Sequence, residues 1–261
     1  MKIGFIGMGN MARAIVEGWL RADAVAPGDI CAVAKRYDRL RAYAEKTGIC
    51  AEASIRDVVH KAEAIVIAVK PDAVESVLSE CGCERPIFSV AAGWTCEKYL
   101  GVLGGNARVQ YILPNTPCRV GEGVMLFEEK NTLLPGERAA AEALFGAIGA
   151  VISLSEGQMT AATAISGCGP AFLAMAIEAL ADAGVKYGVP REKAYRLASQ
   201  TLVGTGRLQL ETGLHPGEIK DQVSSPGGST IRGVEALENA GLRRALLAAV
   251  RAVMEFYSPN A

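Results

Sequence analysis

The segment KIGFIGMGNMA, residues 2–12, joins an apolar strand pattern directly to a glycine-rich turn. The spacing of Gly7, Gly9 and Ala12 is typical of a strand that ends in a tight turn and opens into a helix. In such a turn the first glycine permits the bend, the second lets a pyrophosphate approach the backbone, and the alanine permits close packing. Helix N-termini favour phosphates because their N–H groups and dipole face the ligand. The segment therefore predicts a Rossmann-type dinucleotide-binding domain.

The rest of the chain divides into two parts by its patterning. Up to about residue 155, short β-branched runs alternate with helical segments, which is the rhythm of a parallel sheet covered on both faces by helices. From residue 156 onward, proline and glycine delimit helices only: Pro170 and Pro190 are expected at helix starts, and Gly188 and Gly213 at helix ends. The predicted strands are Lys2–Gly7, Ile30–Val33, Ala64–Val69, Ile87–Val90, Val109–Leu113 and Val124–Phe127. We therefore expect an α/β fold class, with an N-terminal Rossmann-type domain (residues 1–155) followed by an all-α dimerisation domain (residues 156–261).

The second part contains an unusually apolar helix. The segment from Pro170 to Ala183, PAFLAMAIEALADA, is apolar nearly all the way round, so packing one face would leave hydrophobic surface exposed. Gly204 and Gly206 lie inside the next predicted helix, where each costs about 1 kcal/mol relative to alanine unless a close backbone approach compensates. These features favour helices interleaved with those of a second copy of the chain. The alternative is a fully buried helix in a monomeric bundle.

Charge and composition favour a small-molecule partner. With 27 basic and 28 acidic residues, the net charge of −1 creates no global field to attract nucleic acid or an anionic membrane. No charge-free apolar run reaches the length of a membrane span, and the first residues run into a strand pattern rather than an export signal. We therefore expect a cytoplasmic protein with no nucleic-acid or membrane partner.

The cysteines and histidines do not indicate a metal centre. The seven cysteines are scattered and odd in number, which favours reduced thiols in a cytoplasm. Cys81-Gly82-Cys83 is the only close pair, and only His60 and His215 could add imidazole ligands. We expect no metal site.

Two cations follow the second predicted strand. NAD-selective proteins of this fold place an Asp or Glu about 20 residues beyond the glycines to bind the ribose hydroxyls. Here Lys35 and Arg36 follow the strand Ile30–Val33, and both match a 2′-phosphate. This favours NADP(H), with NAD(H) as a weaker alternative, unless the pair is only a solvated loop. The segment Ala68–Pro71 follows the next strand and is expected to line the nicotinamide side of the same crevice.

A serine- and glycine-rich loop precedes a late helix. The segment Asp221–Ile231, DQVSSPGGSTI, would present several backbone N–H groups at a helix N-terminus, which suits a carboxylate or phosphate. Considered alone, it could equally be an ordinary capped loop.

Together these motifs closely resemble the pyrroline-5-carboxylate reductase family, whose members make proline. The resemblance spans about residues 3–240 in the family's order. It is carried by GFIGMGNMA (4–12), AVKP (68–71), SVAAG (89–93), PNTP (114–117), SGCGPA (166–171), and HPG (215–217) leading to Lys220-Asp221 and SSPGGSTI (224–231). The resemblance implies NADPH-dependent reduction of 1-pyrroline-5-carboxylate to L-proline by a homodimer or larger homo-oligomer with intertwined helical domains.

The resemblance also implies roles for individual residues. Thr230 would be the catalytic residue, its hydroxyl hydrogen-bonding the imine nitrogen, while the N–H groups of Gly228–Thr230 would bind the substrate carboxylate. The implied cofactor contacts are Ile6, Gly7, Met8, Gly9, Asn10 and Met11 at the pyrophosphate, with Ala68, Val69, Lys70, Pro71, Val90, Ala91 and Ala92 at the nicotinamide half. The implied substrate contacts are Ser225, Gly228, Ser229 and Thr230.

The chain departs from the family pattern at a few positions. Cys168 stands where a serine is common, and Leu113 where a methionine is common. Ser54 or Ile55 falls where some members place an asparagine near the adenosine, and Gln222 falls where some have another asparagine. The sequence assigns no contact to these positions.

Two other functions are compatible with the motifs. One is an NADP-linked reductase of another cyclic imine or of a β-hydroxy acid. The β-hydroxy acid chemistry usually needs a lysine acid/base in the helical domain, where Lys186, Lys193 and Lys220 are the only lysines and only Lys220 lies near the loop. The other is a non-catalytic NADP(H)-binding regulator.

Overall fold

The computed structural model describes residues 1–82 and 84–257. The prediction about the Cys81-Gly82-Cys83 pair depends on Cys83, which lies outside the described residues. The chain forms two compact units, Met1–Gly167 and Cys168–Ala261.

The first unit contains one eight-stranded sheet in the order β3-β2-β1-β4-β5-β6-β7-β8. The strands are β1 Ile3–Ile6, β2 Ile30–Val33, β3 Cys50–Ala51, β4 Ala64–Ile67, β5 Ile87–Ser89, β6 Val109–Pro114, β7 Gly123–Asn131 and β8 Gly149–Leu154. The helices are α1 Asn10–Arg21, α2 Tyr37–Thr47, α3 Ile55–Lys61, α4 Val74–Cys81, α5 Cys96–Leu103, α6 Pro135–Gly146 and α7 Glu156–Ser166. All six predicted strands are present, and the predicted α/β class is confirmed.

The sheet differs from the predicted parallel arrangement at one junction. β6 and β7 pair antiparallel, whereas the other neighbouring strands pair parallel. The reason is the short connection between Pro114 and Gly123, which cannot contain the crossover helix that a parallel pair requires. The prediction also missed β3 and β8. β3 has only two residues, and β8 is an edge strand whose residues are all exposed or half-buried.

Hydrophobic clusters lie on both faces of the sheet, so the central strands are buried on both sides. On one face, Trp19 of α1 packs edge-to-face against Phe5 and Phe145, and its Nε1 donates to the Leu144 carbonyl at 2.7 Å. Tyr99 of α5, which is completely buried, belongs to the cluster on the other face. This packing fixes the carboxyl ends of the parallel strands, where the glycine-rich turn lies.

Helix α7 packs with the first unit. Its Met159 is buried against Tyr111 and Leu126, which are residues of β6 and β7. The division by contacts therefore falls after α7, whereas the sequence places the start of the helical domain at the first residue of this helix.

The second unit is entirely helical in its described residues. It comprises α8 Gly169–Lys186, α9 Arg191–Thr212, α10 Pro216–Gln222, α11 Ser229–Asn239 and α12 Leu242–Tyr257. Pro170 lies in the first turn of α8, Pro190 precedes α9, and Gly213 ends α9 in the left-handed conformation. The predicted proline and glycine boundaries are confirmed because these signals are local and leave little choice to the backbone.

Much of the apolar surface of this unit is exposed. Ala181, Ala194 and Ala198 are buried where α8 and α9 pack together. In contrast, Met175 on α8 is 69% exposed and Leu210 on α9 is 80% exposed. A Cβ placed on Gly204 or Gly206 would meet no described atom within 4 Å. Within one chain, therefore, no close backbone approach compensates for these two mid-helix glycines.

One segment of the described chain, Glu156–Lys186, has the length and apolar composition of a membrane-spanning helix. Its most apolar 18-residue window has a mean hydropathy of 1.5, and 11% of that window is buried inside the chain. Length and composition are weak evidence here, because an exposed apolar helix is equally typical of an interface between protein subunits.

Candidate cofactor and substrate sites

A cleft of about 580 Å³ lies in the first unit, where β1, β2 and β4 end. β1 lies between β2 and β4, so this is the point where the strand order reverses, the usual ligand position in open α/β sheets. The residues that line the cleft are Gly7, Met8, Gly9, Asn10, Arg13, Ala34, Lys35, Arg36, Arg39, Leu40, Ala68, Val69, Lys70, Asp72 and Ala73.

The two glycines of the turn have different roles. Gly7 has a φ of +99°, and a Cβ at this position would lie 2.6 Å from the Ala68 carbonyl oxygen, so only glycine fits. A Cβ on Gly9 would instead meet nothing within 4 Å. Helix α1 begins at the next residue with neither a side-chain cap nor an acidic residue in its first turn. Its first N–H groups are therefore available to a phosphate in the open space beside Gly9.

The charge of the cleft matches a polyanion. Five of its lining residues are cationic and one, Asp72, is acidic. The cationic residues are Arg13, Lys35, Arg36, Arg39 and Lys70. A dinucleotide with a 2′-phosphate carries several negative charges, so the residues present fit NADP(H).

Sequence reasoning missed two of these cations, Arg13 and Arg39. The signal was helical spacing: Arg13 lies one turn into α1 after Gly9, and Arg39 lies in the first turn of α2 after Arg36. The guanidinium of Arg13 lies 4.7 Å above the ring of Tyr43. Its buried Nε has no hydrogen-bond partner among the described residues, so this donor is unsatisfied in the ligand-free chain.

The structure separates the predicted cofactor residues into two groups. Nine of them line the cleft: Gly7, Met8, Gly9, Asn10, Lys35, Arg36, Ala68, Val69 and Lys70. The others, Ile6, Met11, Pro71, Val90, Ala91 and Ala92, are outside its lining. The side chains of Ile6 and Ala91 are buried in the core, so only their backbone atoms remain to contact a ligand.

The loop after β5 is held from below by polar groups. The N–H of Ala91 donates to Ser89 Oγ at 3.3 Å, and the N–H of Gly93 donates to the Tyr111 hydroxyl at 2.8 Å. Both acceptors are buried. This leaves Ala92 exposed at the top of a supported loop.

The predicted substrate loop forms a turn in the second unit. Gly227 has a φ of +70°, and the N–H of Gly228 donates to the Ser225 carbonyl at 3.0 Å. Helix α11 then begins at Ser229, with no side-chain cap at Gly228 and no acidic residue in its first turn. Ser229 and Thr230 are exposed. Because the Gly228 N–H is already engaged, the expected carboxylate contact narrows to the N–H groups of Ser229 and Thr230.

Several positions that the sequence left open have structural partners. Ser54 caps α3, because its Oγ accepts the Asp57 N–H at 3.1 Å. Leu113 packs against the hydrophobic cluster that contains Tyr111. His215 Nδ1 accepts the Gly217 N–H at 3.0 Å and so caps α10. Lys220 pairs with Asp221.

Two of the buried cysteines, Cys31 and Cys118, have the character of structural thiols. Burial raises the pKa of Cys31 to about 11 and that of Cys118 to about 11, which keeps both protonated and unreactive at neutral pH. Among residues 1–82 and 84–257, no three His, Cys, Asp or Glu side chains lie close enough to hold a metal ion.

Both parts of the chain match protein-family models. Residues 156–258 match the model described as pyrroline-5-carboxylate reductase dimerisation. Residues 2–93 match the model described as NADP oxidoreductase, coenzyme F420-dependent. The helical part and the glycine-rich part thus each carry an independent family signature.

Comparison with whole proteins also identifies pyrroline-5-carboxylate reductases as relatives. The chain is 43% identical to the pyrroline-5-carboxylate reductase of Treponema pallidum, covering 97% of this chain and 99% of that protein. It is 37% identical to that of Escherichia coli, covering 97% and 96%. Among solved structures, pyrroline carboxylate reductase of Plasmodium falciparum with NADP bound superposes with a TM-score of 0.86 at 30% identity, covering 98% of this chain and 96% of that one. The reductase of Coxiella burnetii gives 0.87 at 33%, covering 99% and 97%. This chain therefore belongs to the pyrroline-5-carboxylate reductase family.

Proposed function

We propose that this chain reduces 1-pyrroline-5-carboxylate to L-proline, the last step of proline biosynthesis, with NADPH as the electron donor. The observation that carries the proposal is the 37–43% identity, along almost the whole chain, to reductases of that name. The cationic cleft at the switch point of the sheet supports it, because a reductase of this kind must hold a polyanionic dinucleotide.

The cofactor preference follows from the residues after β2. Lys35 and Arg36 line the cleft together with Arg39, and all three can approach a 2′-phosphate on the adenosine ribose. The residues directly after β2 are Ala34, Lys35 and Arg36. None of them has an acidic side chain that could accept hydrogen bonds from a free 2′-hydroxyl. NADH would therefore serve as a weaker donor.

The chain's own residues position the substrate and manage its charge. When bound, NADPH would supply the hydride to the C=N carbon, and the imine nitrogen would take the proton that the reduction also needs from water. The N–H groups of Ser229 and Thr230, at the N-terminus of α11, bind the substrate carboxylate. The Thr230 hydroxyl donates a hydrogen bond to the imine nitrogen and so orients the double bond. A neutral threonine is a weak acid, so orientation is its first role.

The active form is a homodimer or a larger homo-oligomer in the cytoplasm, with no nucleic-acid or membrane partner. The exposed apolar residues of α8 and α9 and the open space beside Gly204 and Gly206 support close packing against helices of a second copy. The match of residues 156–258 to a dimerisation model supports the same assembly.

One assay tests the activity. The purified protein is mixed with NADPH and 1-pyrroline-5-carboxylate, the loss of NADPH absorbance is followed, and proline is identified in the product. 1-Pyrroline, which lacks the carboxylate, is the matched control substrate and should be reduced much more slowly. Tight NADPH binding without turnover would favour a regulator, and preferred reduction of a β-hydroxy acid precursor would favour the other reductase chemistry.

A further inference from the structure

Trp94 connects two loops of the first unit that lie far apart in sequence. It follows the loop after β5, and its indole Nε1 donates to the Pro71 carbonyl at 2.9 Å, across 23 residues of chain. Pro71 belongs to the segment after β4, whose residues Ala68, Val69 and Lys70 line the cleft. The hydrogen bond thus joins Pro71 to a residue two positions after the segment 90–92, and the segments 68–71 and 90–92 were both expected at the nicotinamide half.

The indole ring has a rigid support. It packs edge-on against Tyr99, with ring centroids 5.3 Å apart and planes inclined by 64°. Tyr99 is completely buried, and its hydroxyl donates to Ser89 Oγ at 2.8 Å. The same oxygen accepts the N–H of Ala91. Ser89 therefore links Tyr99, which supports the indole ring, to the backbone of the loop after β5.

The acceptor side of the bridge is also ordered by local structure. Pro71 begins a short 3₁₀ turn, Pro71–Ala73, and its carbonyl also accepts the N–H of Val74 at the start of α4. The residue after Trp94 leads into α5, whose Lys98 Nζ donates back to the Gly93 carbonyl at 2.6 Å. The hydrogen bond from Trp94 therefore joins two segments that are each well defined.

We propose that Trp94 is a positioning residue of the reductase, whose indole N–H fixes the spacing between the loop after β4 and the loop after β5. This rests on the proposed function, since the role concerns the nicotinamide half of the cofactor site. Hydride transfer depends steeply on distance and angle, so the walls that hold the donor ring must keep a fixed separation. Trp94 acts on that separation through Pro71 and the loop backbone, without touching the reacting atoms.

The chain offers a matched control. Trp19, the other tryptophan, also donates its Nε1 to a backbone carbonyl in the same unit, that of Leu144, but it joins α1 to α6 in the core. Trp94→Phe and Trp19→Phe therefore each remove one indole N–H donor and keep an aromatic ring. Val102→Ala, at an exposed position on α5, is a second control should Trp19→Phe fail to fold.

Three measurements on each variant test the proposal: amide hydrogen exchange of the cofactor-free protein, the dissociation constant for NADP⁺ by calorimetry, and steady-state kinetics. Trp94→Phe should speed exchange in residues 72–74 and 90–95 together. It should also weaken NADP⁺ binding or lower kcat, reducing kcat/KM by about 3- to 10-fold, the scale of one neutral hydrogen bond. Val102→Ala should leave all three quantities within about twofold of the parent protein, and Trp19→Phe should leave exchange in residues 72–74 and 90–95 as it is in the parent protein.

The proposal is overturned if Trp94→Phe matches Val102→Ala in kinetics and NADP⁺ affinity, or if its kinetic loss occurs without faster exchange in both segments. Failure of the proposed function is distinguishable from either result. In that case the parent protein does not reduce 1-pyrroline-5-carboxylate, while exchange and NADP⁺ affinity still judge the role of Trp94.

Discussion

The buried carboxylate of Glu128 caps a helix: its Oε2 accepts the backbone N–H of Cys96, the first residue of α5, at 2.8 Å. Glu128 is fully buried in β7, and its Oε1 has no hydrogen-bond partner among the described residues. Burial raises the pKa of this carboxyl above its usual 4.5, although the Cys96 N–H acts in the opposite direction. An anionic form at this position is therefore costly.

The first prediction follows from that cost. A raised pKa means that the folded chain keeps a proton that the unfolded chain has already lost. The contribution of Glu128 to stability is therefore greatest below pH 4.5 and falls as the pH rises through the raised pKa. Glu128→Gln cannot ionise, and its amide oxygen can still accept the Cys96 N–H. In urea unfolding, we compare the free energy of unfolding of Glu128→Gln with that of the parent protein. The difference in favour of the variant should grow by on the order of 1 kcal/mol as the pH rises from mildly acidic to mildly alkaline.

Glu129→Gln is the control for this measurement, because Glu129 is the exposed neighbour on the same strand. It should leave the pH dependence of unfolding as it is in the parent protein. A gap between Glu128→Gln and the parent that stays constant over the pH range would contradict a raised pKa for Glu128.

The second prediction concerns cofactor choice. Replacing Lys35 and Arg36 together by alanine should weaken NADPH binding and spare NADH, because each charge-assisted bond to a 2′-phosphate contributes about 1.5–3 kcal/mol, roughly ten- to a hundredfold in affinity. Dissociation constants for both cofactors measure the effect. Arg41→Ala is the control, since Arg41 lies on α2 in an exposed ion pair with Glu45, outside the cleft. Unchanged selectivity in the double variant would leave Lys35 and Arg36 as solvated loop charges.

The third prediction separates binding from folding at two glycines of the first unit. Gly9→Ala adds a Cβ into open space, so the melting temperature should stay close to that of the parent. The methyl group should nevertheless keep a pyrophosphate from the α1 N-terminus and weaken NADPH binding by about tenfold or more. Gly18→Ala should instead lower stability and leave NADPH binding unchanged. Its Cβ would collide with the Cys118 carbonyl, which costs about 1–3 kcal/mol of stability. If Gly9→Ala binds NADPH as tightly as the parent protein, the pyrophosphate does not lie beside Gly9.

Local signals explain what could be predicted from the sequence. Gly7 needs a positive φ at the end of β1, and Pro170 and Gly213 mark helix ends, so each specifies its own backbone conformation with little help from the fold. The cationic pair Lys35 and Arg36 lies directly after a strand, and the strand order then brings it to the cleft.

Relationships between distant segments could not be predicted in this way. The apolar pattern of β7 does not encode its direction; the signal for antiparallel pairing was the short connection from β6, which is too short for a crossover helix. Helical spacing after Gly9 places Arg13 near the turn, but its position over the ring of Tyr43 depends on how α1 packs against α2, which no local signal encodes. The contact between Trp94 and Pro71 likewise depends on the alignment of two loops.

The fourth prediction concerns assembly. Met175 is 69% exposed on α8 in the single chain, so Met175→Glu should place a charge in the interface with a second copy and shift sedimentation toward the monomer. The parent protein should sediment as a dimer or larger, with a melting temperature that rises with concentration. Leu134→Glu is the control: it replaces an exposed apolar residue of the first unit, 56% exposed, and should leave the assembly intact. A parent protein that is a stable monomer at low micromolar concentration would exclude the interleaved dimer.

The fifth prediction concerns Thr230, the second residue of α11, whose side chain is exposed in the single chain. Thr230→Ala removes the hydroxyl proposed to bond the imine nitrogen and keeps the N–H groups of the helix terminus. Losing one hydrogen bond that strengthens in the transition state should lower kcat/KM for 1-pyrroline-5-carboxylate by about ten- to a hundredfold, or about 1–3 kcal/mol. The affinity for NADPH should change little, which calorimetry checks.

Two further variants decide whether the Thr230 hydroxyl is the group that matters. Thr230→Ser keeps the oxygen but loses the methyl group that restricts its rotamer, so its kcat/KM should fall between those of the parent and Thr230→Ala. Ser229→Ala removes the neighbouring hydroxyl and keeps the backbone N–H, so it should be milder than Thr230→Ala. If Thr230→Ala has the kcat/KM of the parent protein while Ser229→Ala has a much lower one, the hydrogen bond to the imine nitrogen comes from Ser229. If Thr230→Ala also loses NADPH affinity, the variant has disrupted more than one oriented hydrogen bond, and the assignment of Thr230 to the substrate alone is wrong.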